Sequence, residues 1–293
     1  MNTTAKLAVF AAAVAVAVGG GWAIGAAAGP QDQPAPSAHK ATTGGHGDGG
    51  HAENTHVAGL PGGLSASQDG YTFQPLTPTV RADRTEQFRF RILGPDEHAV
   101  TRFDVEHDKR LHLIVVRRDS AGFQHLHPTM AADGTWSVPL RLAKPGSYRA
   151  FADFKPTGGE ALTLGVDIAV PGSFAPETFE PSKQATVDGY QVRLDGTLEP
   201  GKTSDLTLTV TRGGKPVTDL QPYLGAAGHL VALRQGDLAY LHVHPVDPDA
   251  RGPEIRFKAE VPSAGTYRMY LDFQHRGKVR TAEFTVPSEG HHG

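Results

Sequence analysis

Two short stretches carry the side chains best suited to chemistry. FQHLHP, residues 123–128, sets His125 and His127 two positions apart, and YLHVHP, residues 240–245, does the same with His242 and His244. In an extended strand residues i and i+2 share a face, so the two imidazoles of each pair point the same way, about 7 Å apart. Phe123 and Tyr240 join them on that face, while Leu126 and Val243 turn to the other. Pro128 and Pro245 follow at once and stop the ladder, because proline has no amide hydrogen to donate. A third imidazole stands thirteen residues upstream of each pair. His112 opens HLIVV and His229 opens HLVAL, and each run leads into a turn at RRDSAG or RQGDLA. A short hairpin returns the His-x-His strand antiparallel to the first, which brings its far end back beside the opening histidine. Three histidines gathered in this way are ligands for Zn(II), Cu(II) or Ni(II), with Cu(II) bound tightest in the usual order. Cu(II) or Zn(II) is therefore the expected cofactor, bound by neutral imidazoles and released as pH falls through about 6.5. The competing reading makes the same residues packing histidines, hydrogen-bonded in the wall of a sheet.

An acid accompanies each set. Asp153 in FADF and Asp272 in YLDF sit inside otherwise apolar and aromatic strands, where aspartate is depleted and rarely buried without a partner. Three roles are open to them: a fourth ligand, an acceptor that orients an imidazole from behind, or an ion pair with Arg149 or Arg268, four residues earlier on the same face. The expected ligand sets are His112, His125, His127 and Asp153 in one unit, and His229, His242, His244 and Asp272 in the other. His275 is either a further ligand or an exposed residue. His98 and His107 are expected at the surface.

The elements that position these residues are repeated. DGYTF (69–73) matches DGYQV (188–192), and HLIVVRRDSAGFQHLHP (112–128) matches HLVALRQGDLAYLHVHP (229–245) without a gap. GSYRAFADF (146–154) matches GTYRMYLDF (265–273), and DIAVP (167–171) matches EFTVP (283–287). The chain thus holds a duplicated unit of roughly a hundred residues, and such repeats decide an architecture. Its runs are short, alternate apolar with polar, and are separated by Gly, Pro and Asp turns. That pattern predicts sandwiches of antiparallel strands rather than a βαβ sheet. The Gly-x-Tyr entry to a late strand resembles the corner tyrosine of immunoglobulin-like domains. The fold class is therefore all-β: two tandem immunoglobulin-like sandwiches over 64–172 and 183–288, joined by a linker over 173–182.

The ends of the chain read differently. Residues 1–29 carry one charge, Lys6, and from Leu7 to Gly29 are long and apolar enough to cross a bilayer. AAA at 26–28 also suits signal-peptide cleavage. A signal-anchor helix or a cleaved signal both place the remainder outside the cytoplasm, either held to the membrane by the N-terminal segment or secreted. Residues 30–63 are rich in Gly, Pro, Ala and His with almost no large apolar side chain, and read as a disordered stalk. His39, His46, His51 and His56 in the stalk, and His291 and His292 in the tail 289–293, are either loose metal collectors or polar spacers.

Composition excludes several classes. The 293 residues contain no cysteine, which removes disulfides, thiolate sites, a cysteine nucleophile and a lipidated N-terminal cysteine. Three methionines leave little for a soft Cu(I) site. A formal charge of −3 with scattered basic residues argues against a nucleic-acid partner. No Gly-x-Ser-x-Gly elbow, phosphate-cradling glycine loop or His-Glu-x-x-His helix is present, so the protein is not expected to be an enzyme.

DLQPYLGAAGHLVALRQGDLAYLHVHP together with TYRMYLDFQHRGKVRTAEFTV resembles exported actinobacterial-type envelope proteins with YtkA-like or CopC-like sandwich modules. The resemblance covers both halves of residues 70–287 and implies heavy-metal or copper handling. It departs at one point: CopC-like proteins use a mature N-terminal histidine as a copper ligand, and cleavage after Ala28 here leaves Gly29. The sequence therefore supports an exported metal-binding protein that buffers, senses or delivers Cu(II) or Zn(II), with one site per sandwich. The alternative is a structural module that presents two immunoglobulin-like domains to an envelope protein partner.

Overall fold

The computed structural model describes residues 61–241 and 243–288. The expected N-terminal apolar segment, most of the stalk, the C-terminal tail and His242 lie outside them. Among the described residues there is no helix, and so none long and apolar enough to cross a membrane.

The first repeat forms β1 (Ser67–Gln68), β2 (Tyr71–Pro75), β3 (Thr85–Leu93), β4 (Leu111–Arg117), β5 (Gln124–Leu126), β6 (Thr129–Met130), β7 (Trp136–Arg141), β8 (Gly146–Phe154) and β9 (Leu162–Val170). The second forms β10 (Gln184–Val187), β11 (Tyr190–Asp195), β12 (Lys202–Arg212), β13 (Lys215–Pro216), β14 (Gly228–Arg234), β15 (Tyr240–Leu241), β16 (Val243–Pro245), β17 (Glu254–Val261), β18 (Thr266–His275) and β19 (Lys278–Pro287). Each repeat is a two-sheet immunoglobulin-like sandwich. The first pairs a five-stranded sheet, β1-β2-β3-β7-β6, with a four-stranded sheet, β5-β4-β8-β9. The second pairs β10-β11-β12-β17-β16, with β13 beside β12, against β15-β14-β18-β19. Each encloses its own core, built around Phe88, Phe90 and Trp136 in one and around Tyr190, Phe257 and Phe273 in the other. The corner tyrosines are present in both copies: Tyr148 donates to the Lys144 carbonyl at 2.8 Å and Tyr267 to the Ser263 carbonyl at 2.7 Å.

A free-standing sandwich sheet should alternate buried with exposed residues. Strand β17 does so, whereas all seven residues of β4 are buried. The reason is a third core. Ile114, Val116 and Phe151 turn away from the first sandwich and meet Val231, Leu233, Leu238, Tyr240 and Tyr270 from the second. The outer faces of the two four-stranded sheets thus cover each other. Phe123 stacks on Tyr270 with ring centres 4.0 Å apart, and the Tyr270 hydroxyl donates to the Ser120 carbonyl at 2.6 Å. Complete burial of an aliphatic side chain such as Ile114 or Val231 contributes about 1.5–3 kcal/mol, so a handful suffices to hold the sandwiches together.

Two connecting segments are fixed across this seam. Gly62 and Gly63, expected at the end of a disordered stalk, are ordered instead: Gly62 accepts from the Tyr240 amide and Gly63 donates to the Thr163 carbonyl. Gly63 has φ of 75°, and a Cβ there would lie 2.4 Å from the Phe151 ring, so only glycine passes. Between β9 and β10, Glu177 pairs with the buried Arg117, and Phe179 packs on the Arg268 guanidinium at 3.8 Å. The linker is therefore tied to both sandwiches.

Candidate metal centre

Hairpin register brings the first histidine set together. β5 runs antiparallel to β4 with His125 opposite Ile114, and His112 faces Asp153 across β4 and β8. His112, Ile114 and His125 consequently share the outer face, the one that enters the seam. Ligand atoms of His112, His125 and His127 lie within 4.8 Å of one another.

The second sandwich contributes to the same cluster rather than building a separate one. His229, the counterpart of His112, stacks parallel to it at 5.5 Å between ring centres and lies 4.8 Å from the His125 ring. Asp272 faces His229 across β14 and β18, yet its carboxylate reaches over the seam and accepts from His125 Nδ1 at 2.8 Å. Both side chains are almost fully buried, 2% and 3% exposed. The Thr281 hydroxyl donates to the other Asp272 oxygen at 2.6 Å.

The second His-x-His does not repeat the first among the described residues, and His242 lies outside them. Leu241 pairs with β14, but Val243, His244 and Pro245 pair with β17 of the opposite sheet. Leu241 and Val243 thus belong to different sheets, which leaves His244 opposite Lys258 and exposed. Asp153 accepts from Thr163 at 3.1 Å, as Asp272 does from Thr281. The ion pairs considered for Arg149 and Arg268 go elsewhere: Arg149 binds Asp167 and the Gly63 carbonyl, and Arg268 binds Glu283 and Thr285. His275 is buried between the Tyr190 hydroxyl and Asp219, a packing role. His107 is exposed as expected, yet its ring lies 5.8 Å from His229 and 6.1 Å from His112, at the edge of the cluster. Its place rests on the bend 107–108, where His107 and Asp108 both take positive φ; spacing alone carried no signal of it.

The hydrogen-bond partners settle the tautomers. His112 Nε2 faces the Glu106 carbonyl at 3.1 Å, an acceptor, so Nε2 carries the hydrogen and Nδ1 a lone pair. His125 Nδ1 faces the Asp272 carboxylate, so Nδ1 carries the hydrogen and Nε2 a lone pair. Yet His112 Nδ1 and His125 Nε2 face each other at 3.0 Å. Two lone pairs at that distance repel unless a cation lies between them, either a proton that makes His125 an imidazolium against Asp272 or a metal ion. His127 Nε2 and His229 Nδ1 are buried without a hydrogen-bond partner among the described residues. Burial, then the neighbouring His125 charge, lowers His112 to about 4 and His127 to about 3. His229 is held well below the usual imidazole value, again first by burial. Neutral imidazoles with unshared lone pairs are what a late first-row dication requires. A carboxylate or carbonyl behind each ligating imidazole is the usual means of fixing its tautomer and raising its basicity. The donor set therefore fits Cu(II) or Zn(II).

Fold and cluster together define a tandem immunoglobulin-like β-sandwich protein with a histidine-rich seam between its domains. The chain belongs to the family described as Domain of unknown function (DUF8832), whose model matches residues 66–172 and again 185–290. No curated protein matches it significantly. Among solved structures it is similar to the Escherichia coli adhesin FdeC, at 15% identity over 79% of this chain and 66% of that one, with a TM-score of 0.24. It is also similar to bacterial invasin, an integrin-binding protein, at 11% identity over 74% of this chain and 39% of that one, TM-score 0.23. Salmonella alpha-2-macroglobulin matches at 13% identity over 80% of this chain and 16% of that one, TM-score 0.27. The chain spans less than two thirds of the length of each.

Proposed function

We propose that this protein binds one Cu(II) or Zn(II) ion outside the cytoplasm, at the seam between its sandwiches, and so buffers, senses or delivers that metal. The observation that carries the reading is the facing of His112 Nδ1 and His125 Nε2 at 3.0 Å, with the orphaned His127 Nε2 beside them. His112, His125 and His127 hold the ion; Glu106 and Asp272 fix the first two rings through their second nitrogens. The resemblance of both repeats to YtkA-like and CopC-like modules points the same way. The test is metal content and melting temperature of the full chain, stripped with chelator, reloaded with Zn(II) or Cu(II), and desalted to remove ions held loosely by tail histidines. One retained ion per chain, a raised melting temperature, and loss of both on replacing His125 and His127 by Ala are expected. A wild-type chain that takes up no stoichiometric metal sinks the reading.

The second reading is a module that presents two immunoglobulin-like domains to an envelope protein. It is favoured by the exposed face of β17, which carries Glu254, Arg256, Lys258 and Glu260 at the surface. The likeness to the adhesin and to invasin extends to architecture alone. Under this reading the cluster would be a packed hydrogen-bond network, indifferent to added metal.

A further inference from the structure

Beside the cluster the seam opens into a cleft of about 430 Å³ whose lining includes His112 and His229. Lys109, Arg110 and Lys155 stand around it. None of the three makes a side-chain hydrogen bond or ion pair among the described residues. What sets these three apart is that they line one cleft. In a groove on the first sandwich, lined by Arg117, Arg141 and Lys144, every cation has a carboxylate: Asp119 and Glu177 for Arg117, Asp83 for Arg141, Glu177 for Lys144. Two acids, Glu106 and Asp153, also line the cleft, so its three cations outnumber its carboxylates by one. The positive charge reaches the cluster, since Lys109 is among the groups that lower both His112 and His127.

We infer that this cleft binds a small multivalent oxyanion, of the polycarboxylate or phosphate class, held by Lys109, Arg110 and Lys155 against the histidine floor. Unpaired cations around a concave, partly dehydrated surface concentrate anions and exclude free cations. Flexible lysines and a forked guanidinium supply charge-assisted hydrogen bonds to carboxylate or phosphate oxygens. A bare dication is repelled at such a mouth, whereas a metal carried as an anionic chelate is drawn in. That last consequence rests on the metal reading above; the oxyanion site itself does not.

The experiment is calorimetric titration of the chelator-treated full chain with citrate and, separately, with inorganic phosphate at low ionic strength. Wild-type protein is expected to bind citrate saturably, one per chain, and more weakly as salt is raised. Equal affinity for phosphate assigns a general oxyanion site, and preference for citrate a polycarboxylate site. The variant Lys109→Ala/Arg110→Ala/Lys155→Ala should lose at least tenfold in affinity while keeping its circular dichroism and its Zn(II) uptake, which separates this site from the metal site. Arg141→Ala/Lys144→Ala, which removes cations already paired, should bind as wild type does. The proposal is overturned if wild type binds neither anion, or if the two variants bind equally.

Discussion

Acidification gives the sharpest test of the buried cluster, because its magnitude follows from one side chain. His112 is held at about 4 in the fold against 6.5 in the open chain, first by burial. Between those values the unfolded chain takes a proton that the folded chain refuses, so stability falls as pH drops from 6.5 and levels off below 4. At ~1.36 kcal/mol per unit, His112 alone should remove about 2.5 kcal/mol by pH 4.5. His127 acts in the same direction, down to about 3. Carboxylates held low, such as Asp237 by its hydrogen bonds from Arg234, withdraw their contribution only below the ordinary aspartate range, so the window from 7.5 to 4.5 isolates the imidazoles. The assay is urea unfolding of chelator-treated protein at pH 7.5, 6.0 and 4.5, for wild type and His112→Gln. The variant's stability should depend less on pH, by about 2.5 kcal/mol over the window. Equal slopes for the two proteins would refute the placement of His112 as a neutral, buried imidazole.

Three further outcomes are expected. Asp272→Asn keeps the shape but removes the charge behind His125, and should weaken Zn(II) or Cu(II) binding roughly 10–100-fold in chelator competition. His244→Ala should leave that affinity unchanged, since His244 is exposed on the opposite sheet. Val231→Lys puts a charge into the apolar seam, where Val231 is fully buried; small-angle scattering should show the two sandwiches swinging apart, with metal affinity weakened at least as far as in Asp272→Asn.

The sequence made the sandwiches legible because duplication displayed each strand twice. It also made the hairpin geometry of His112, His125 and His127 legible, since period-2 alternation and a short turn leave one arrangement. The seam was hidden for a physical reason: Ile114 and Val116 on the outer face are indistinguishable in type from Leu113 and Val115 on the inner one. A run such as HLIVV with no polar alternation is the mark of a strand covered on both faces, and it recurs as HLVAL. The reach of Asp272 to His125 was beyond pattern reading, because both partners sit at expected positions and only the docking of the two domains joins them. The divergence of His244 from His127 likewise depends on Leu241 and Val243 pairing in different sheets, which identical spacing conceals.

The face-to-face packing of β4–β8 on β14–β18 resembles an isologous dimer, in which one patch meets its own copy about a two-fold axis. A true homodimer must present the same residues at both ends of such an axis, so any site it builds at one end it builds at the other. Joining the copies in one chain lifts that obligation. One end of the seam can gather His125, His127 and the opposite copy's Asp272 while its twin end sends His244 out to solvent. Substitutions at either end are then felt once per molecule rather than twice, and the two ends are free to specialise.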